Sequence, residues 1–256
     1  MQKFLNRILI SFFLFLLNCS EKKQHISNVE YQRIEINEDI EPNADIEKFI
    51  EPYTQKVNKD MDSELAYSPK IYSKKDGQFN TAIGNFMADA VFQESQPIFK
   101  SRTGLDIDMV LLNHGGIRST IPKGDITTRT AFEVMPFENE VIVVALKGEQ
   151  ILKMIDYLLR CKKPHPISRL KLEIDADYDL LKATINNKTI DKNKIYYVAT
   201  SDYLFRGGDR MNFFATNKNS YPLDYKIRNI LIDYLKKIDT LQFEIDDRFI
   251  LKKNKF

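Results

Sequence analysis

VIVVALKGEQILKMIDYLLR, residues 141–160, joins the two kinds of element from which this chain is built. Residues 141–146 are all apolar and four of the six are β-branched, a composition that reads as a strand buried in a sheet. At residue 148 the period changes. Ile151, Leu152, Ile155, Leu158 and Leu159 then recur at helical spacing, so a helix follows the strand directly.

Working outward, DIDMVLLN (106–113) is a second buried strand bounded by charge and glycine. IGNFMADAV (83–91) carries Ile83, Phe86, Met87, Ala90 and Val91 on one face and is expected to form a helix that ends before Pro97. Further upstream Ile46, Phe49, Ile50, Tyr53, Val57 and Met61 keep helical spacing, with Pro52 expected to kink or restart the helix. Downstream, Leu170, Leu172 and Ile174 alternate, Asn186-Asn187 marks a turn between two short runs, and KIYYVAT (194–200) is another strand. A last helix is expected over 224–238 through Ile227, Ile230, Leu231, Tyr234 and Leu235. The late strands come as hairpins, so the pattern predicts an α+β fold: mixed β-sheet with packed helices in one domain, residues 44–256.

The 256 residues are 43% hydrophobic, near the globular norm, which excludes a mainly disordered chain. Lys plus Arg number 38 against 36 Asp plus Glu, a balance with no electrostatic footprint for nucleic acid. The first residues, MQKFLNRILISFFLFLLNCS, combine a basic start with a short apolar run that is too brief to span a bilayer. LLNC then resembles a lipoprotein processing box, with Asn18 in place of the usual Gly or Ala; an ordinary secretory signal or a short buried helix is the alternative. Residues 1–18 are thus expected to be a signal peptide, Cys19 the lipidated residue and residues 19–43 a polar tether. The protein would then be exported and membrane-anchored. Cys161 is read as structural.

No H-E-x-x-H, D-x-H, G-x-S-x-G, C-x-x-C or phosphate loop occurs, and His114 and His165 read as satisfied loop or surface histidines. Three segments stand out instead, each at a strand end. LLNHGGIR (111–118) offers Asn113, Gly115, Gly116 and Arg118. MPFEN (135–139) offers Phe137 and Asn139. SDYLFRGGD (201–209) offers Tyr203, Gly207, Gly208 and Asp209. Aromatic faces, amides, a guanidinium and a carboxylate beside glycines are the side chains that grip a nucleoside. The rings stack on the base, the amides read its edge and the carboxylate accepts from ribose hydroxyls.

Taken together and in order, the G-N helix at 84–85, NHGGIR, PKGDIT, PFEN, VVALKGEQIL and Y-x-x-x-G-G-D resemble the C-terminal domain of 5'-nucleotidases. The resemblance implies that Phe137 and Tyr203 stack on the two faces of a base, Asp209 holds the ribose, and Asn113, Asn139 and Arg118 contact the nucleoside or nucleotide. It further implies no catalytic residue and no cofactor in this chain. Divalent metals would sit on a partner metallophosphoesterase that completes a nucleotide-degrading hydrolase. A non-catalytic nucleoside-binding lipoprotein and a degenerate interaction domain are the alternatives. Two positions depart from the family pattern: Gly77 where relatives often carry Arg, and Arg169 where Gly is usual.

Overall fold

In chain order the elements are α1 (Ala44–Met61), β1 (Glu64–Ser68), α2 (Ala82–Thr103), β2 (Met109–Leu111), β3 (Gly124–Thr127), α3 (Thr128–Val134), β4 (Glu140–Lys147) and α4 (Gly148–Cys161). There follow β5 (Ile167–Ser168), β6 (Leu170–Ile174), β7 (Leu180–Ile185), β8 (Lys188–Thr189), β9 (Ile195–Ser201), α5 (Asp202–Phe205), β10 (Asn219–Lys226), α6 (Ile227–Leu235) and β11 (Phe249–Leu251). The structure is a computed structural model that describes residue 26 and residues 28–252. The expected signal peptide and Cys19 lie outside the described residues. The chain divides into two compact units, Met1–Phe49 and Ile50–Phe256, and the second carries all eleven of these strands.

A five-stranded sheet, ordered β10-β4-β9-β2-β5, forms the centre of that second unit. β9 and β2 run parallel and the other neighbours antiparallel, so the sheet is mixed as the pattern predicts. The uninterrupted apolar run of β4 has a direct cause, for the strand is buried on both faces. Val141 and Val143 pack into one core with α2 and α6, while Ile142, Val144 and Leu146 pack into a second core with α4. β2 divides the same way, Val110 facing the first core and Met109 and Leu111 the second. A four-stranded sheet, β11-β6-β7-β8, closes the second core through Leu170, Leu172, Ile174 and Phe249. The Asn186-Asn187 turn joins β7 to β8 with both φ positive, 53° and 60°, as a two-residue hairpin requires.

Three sequence expectations change. α2 does not end before Pro97 but runs through it to Thr103, where Gly104 (φ 76°) caps it. Pro97 is exposed and the missing hydrogen bond belongs to the carbonyl of Gln93, also exposed, so water replaces it while Phe99 holds the last turns in the core. α1 likewise continues through Pro52 as a single helix rather than restarting. The last helix starts at Ile227, not at residue 224, because residues 219–226 form the edge strand β10.

Candidate functional site

The sheet order brings the three segments to one end. β2 and β9 are parallel neighbours, so their C-terminal exits lie side by side, and β4 is antiparallel to β9, which places its N-terminal entry beside them. Val141 pairs with Ser201, fixing the 137–139 segment against the start of α5. The Thr200 hydroxyl donates to the Leu111 carbonyl (2.8 Å), fixing the β2 exit against β9. A cleft of about 290 Å³ opens between the three exits, lined by Asn113, Gly115, Gly116, Arg118, Phe137, Asn139, Tyr203 and Asp209. All eight stand out in the sequence. Gly207 and Gly208 shape the loop without lining the cleft.

Phe137 and Tyr203 are 40% and 42% exposed, an unusual state for aromatic side chains beside a packed core. Among the described residues they do not pack on each other. Ser201 caps α5 by accepting from the Leu204 N–H (3.2 Å), which fixes the first turn that carries Tyr203, and Tyr203 lines the cleft. The Tyr203 hydroxyl donates to Asp209 Oδ1 (3.1 Å) and accepts from the Asp209 N–H (3.3 Å). Gly208 lies directly under the ring: a Cβ there would stand 2.5 Å from Tyr203 Cε1 and Cζ. Asp209 takes a left-handed φ of 52° and is steadied from behind by the Tyr157 hydroxyl, which donates to its carbonyl (2.9 Å). Its Oδ2 receives no donor from the described residues. Arg118 likewise has no carboxylate partner among them. It packs over the Phe137 ring at 5.8 Å and touches only the Gly115 carbonyl, at 3.5 Å. The Asn113 amide folds against Gly116, where a Cβ would come within 2.9 Å of its Oδ1.

Beneath the cleft the two histidines depart from expectation. His165 is not at the surface but 4% exposed, its ring at 5.8 Å from Tyr157. Its Nδ1 accepts from the His114 N–H (3.3 Å), which leaves the proton of the neutral ring on Nε2, and Nε2 has no partner. Burial pushes its pKa down to about 4, so the ring is neutral near pH 7. Burial also depresses His114, whose Nδ1 is unpartnered. Tyr157 and His165 escape a reading of the sequence: Tyr157 sits off the apolar stripe of α4, and nothing in PHP marks a buried imidazole.

The two departures from the family pattern have local causes. A Cβ at Gly77 would stand 2.0 Å from the Asn80 carbonyl oxygen, so this backbone accepts no side chain there. Arg169 adopts a φ of 65°, the region that favours glycine, and stacks on Phe92 at 4.4 Å. Cys161 is half-buried, its thiol donating to the Leu158 carbonyl (3.3 Å) and its pKa raised by burial, in keeping with an inert structural role. Among the described residues no group of three or more His, Cys, Asp or Glu side chains is placed to hold a metal ion.

Comparison with known proteins agrees with the architecture. A 5'-nucleotidase from Vibrio cholerae is 24% identical over 228 residues, covering 84% of this chain and 38% of that protein. A cell wall protein of Listeria monocytogenes, Lmo0130, is 28% identical over 198 residues, covering 68% of this chain and 25% of that protein. The crystal structure of a 5'-nucleotidase precursor from Thermus thermophilus superposes with a TM-score of 0.68 at 21% identity, over 82% of this chain and 43% of that one. The chain thus spans less than half the length of these relatives. The family model for the 5'-nucleotidase C-terminal domain matches residues 61–216, more than half of the sequence, and the chain belongs to that family.

Proposed function

We propose that the cleft holds the base and ribose of a nucleoside or nucleotide, and that the domain is the substrate-binding part of a 5'-nucleotidase-type phosphohydrolase. The observation that carries this is the pair of half-exposed rings, Phe137 and Tyr203, facing one cleft with an unengaged carboxylate oxygen of Asp209 and the guanidinium of Arg118. Stacking of a base on aromatic rings is worth about 1–3 kcal/mol. Asp209 Oδ2 is an acceptor for the ribose hydroxyls, and the Asn113 and Asn139 amides offer both donors and acceptors to a heterocycle edge. Arg118, with its fixed fork of donors, suits a nucleotide oxygen. The chain's own residues bind and orient. The metals that activate water and polarise the phosphate are assigned to a metallophosphoesterase on a partner chain. Holding the base and ribose makes that attack effectively intramolecular.

Export by a lipidated Cys19 belongs to the same proposal. It rests on the N-terminal sequence and accords with the name of the Listeria relative, a cell wall protein. Among the described residues no helix is long and apolar enough to cross a membrane. Intact mass of the protein from a native membrane fraction, against a Cys19→Ser variant, reads the acyl chains directly.

Calorimetric titration with adenosine tests the binding. Wild type is expected to bind, and Phe137→Ala and Tyr203→Ala each to weaken binding. In a phosphate-release assay with AMP and Mn²⁺, the purified chain is expected to be silent and to support turnover once a metallophosphoesterase partner is added. Absence of binding to any nucleoside or nucleotide would refute the proposal.

A further inference from the structure

The segment that carries Phe137 and Asn139 has no regular structure of its own, yet one buried side chain holds it. Arg228, the second residue of α6, is 5% exposed and donates through Nη1 to the carbonyls of Pro136 (3.2 Å) and Phe137 (3.4 Å). Its Nη2 donates to Glu138 Oε1, and the face of its guanidinium lies 4.0 Å from the centre of the Phe132 ring. Lys226 binds the other oxygen of Glu138, and the N–H of Ile227 donates to the Asn139 carbonyl (3.0 Å). Three consecutive residues, 136–138, are thus tied to a single guanidinium, and the fourth to the next backbone group. Burying a guanidinium is costly, the more so here because Nε has no partner among the described residues, and every bond that the two Nη atoms make ends on this segment while the face packs on the ring beside it. For a fold that needed only an apolar contact, an aliphatic side chain at this position would be less expensive.

We propose that Arg228 is a positioning residue for the nucleoside cleft: it sets the height and direction of Phe137, and with Ile227 the place of Asn139, so that the ring stands ready to meet the base. The inference rests on the reading of the cleft as a nucleoside site, and extends it to a residue that lines no part of that cleft. Lysine cannot replace it, because a single ammonium does not span two carbonyls and a carboxylate in one plane.

Binding of 2-aminopurine riboside, followed by quenching of its fluorescence on stacking, and of adenosine by calorimetry, decides the matter. Arg228→Lys is expected to raise Kd about tenfold and to reduce the quench at saturation, since the ring no longer lies flat on the base. In a Phe137→Ala background the same substitution is expected to change Kd by less than about twofold, because the ring it positions is gone. Equal weakening in both backgrounds would mean a general structural role and would overturn the inference. So would wild-type Kd and quench in Arg228→Lys. If that variant fails to fold, Glu138→Gln carries the test, its carboxylate being largely exposed. It is expected to weaken binding in the wild-type background and not in Phe137→Ala, and an unchanged Kd in the former overturns the proposal. Wild-type protein that binds neither nucleoside refutes the reading of the cleft itself. A wild type that binds while Arg228 and Glu138 prove indifferent refutes only the positioning role.

Discussion

Gly208→Ala separates the cleft from the fold. A Cβ built on Gly208 stands 2.5 Å from Cε1 and Cζ of Tyr203 and 2.7 Å from Cδ1. Carbon atoms in contact sit at about 3.5–4.0 Å, so something must move by more than about 1 Å. The backbone of Gly208 lies outside the left-handed region, so the substitution brings a clash and no torsional strain. What yields is the ring: Tyr203 is 42% exposed and swings outward from a four-residue helix. That breaks its exposed hydrogen bonds with Asp209, worth about 0.5–1.5 kcal/mol net, against which alanine stiffens the unfolded chain by about 0.4–1 kcal/mol. Stability is therefore expected to change by less than about 1 kcal/mol, or a few degrees in Tm. Binding is another matter. Losing one stacked face of the base costs about 1–3 kcal/mol, a rise in the adenosine Kd of roughly 5- to 150-fold. Calorimetric titration and a thermal melt on the same preparation read both quantities. An unchanged Kd would refute the stacking role of Tyr203. A large fall in Tm would show that the backbone, not the ring, absorbs the clash.

Phe137→Ala removes the opposite ring. It should raise the adenosine Kd by a similar factor, about 5- to 150-fold, while Tm moves little because the side chain is 40% exposed. His165 gives a signature in pH. Its folded pKa is about 4 against about 6.5 unfolded, so the unfolded chain binds the extra proton first on acidification. The group contributes fully above about pH 6.5, and its contribution, at most about 3 kcal/mol, is lost as pH falls to about 4. Denaturant titrations at several pH values should show His165→Gln with a shallower acid slope over that window than wild type. Arg248→Met should cost about 3–5 kcal/mol, read in the same titrations at pH 7. It strands Asp89, to which Arg248 donates at 2.9 and 3.2 Å, and removes the 2.6 Å bond to the Ile167 carbonyl that ties the segment before β11 to β5.

The elements that read clearly from the sequence are those whose burial is one-sided or complete over several residues. β4 announces itself because both of its faces are covered, and α4 because one stripe carries its whole core face. β1, β3, β5 and β11 are two to five residues long, too short for a period to show. β10 is an edge strand interrupted by Pro222 and by a left-handed Asp224, so its polar, irregular sequence looks like the approach to a helix. The prolines mislead for one physical reason. Pro97 and Pro52 both lie in exposed turns, where water takes up the carbonyl that each leaves free, and in α2 the buried Phe99 holds the turns beyond the proline in the core.

The site shows a sharper division. Each of its three segments offers an aromatic, an amide or a charge at a strand end, two of them beside glycine, and they are notable only taken together, while their convergence in space is not legible. It depends on β9 lying between β4 and β2, with one neighbour antiparallel and the other parallel. Had the order been β9-β2-β4, the β9 exit and the β4 entry would stand a strand apart, and no single flat ligand would meet both rings. Residues that line the cleft carry a chemical signature in sequence, aromatics, amides and charges gathered at strand ends. Residues that hold them in place carry none. Arg228 reads as an ordinary helix charge until Pro136, Phe137 and Glu138 are seen to converge on it, and His165 as a loop histidine until Tyr157 and the His114 backbone enclose it. Recognition chemistry is written locally in the chain, whereas its support is written in contacts between residues roughly fifty to ninety positions apart.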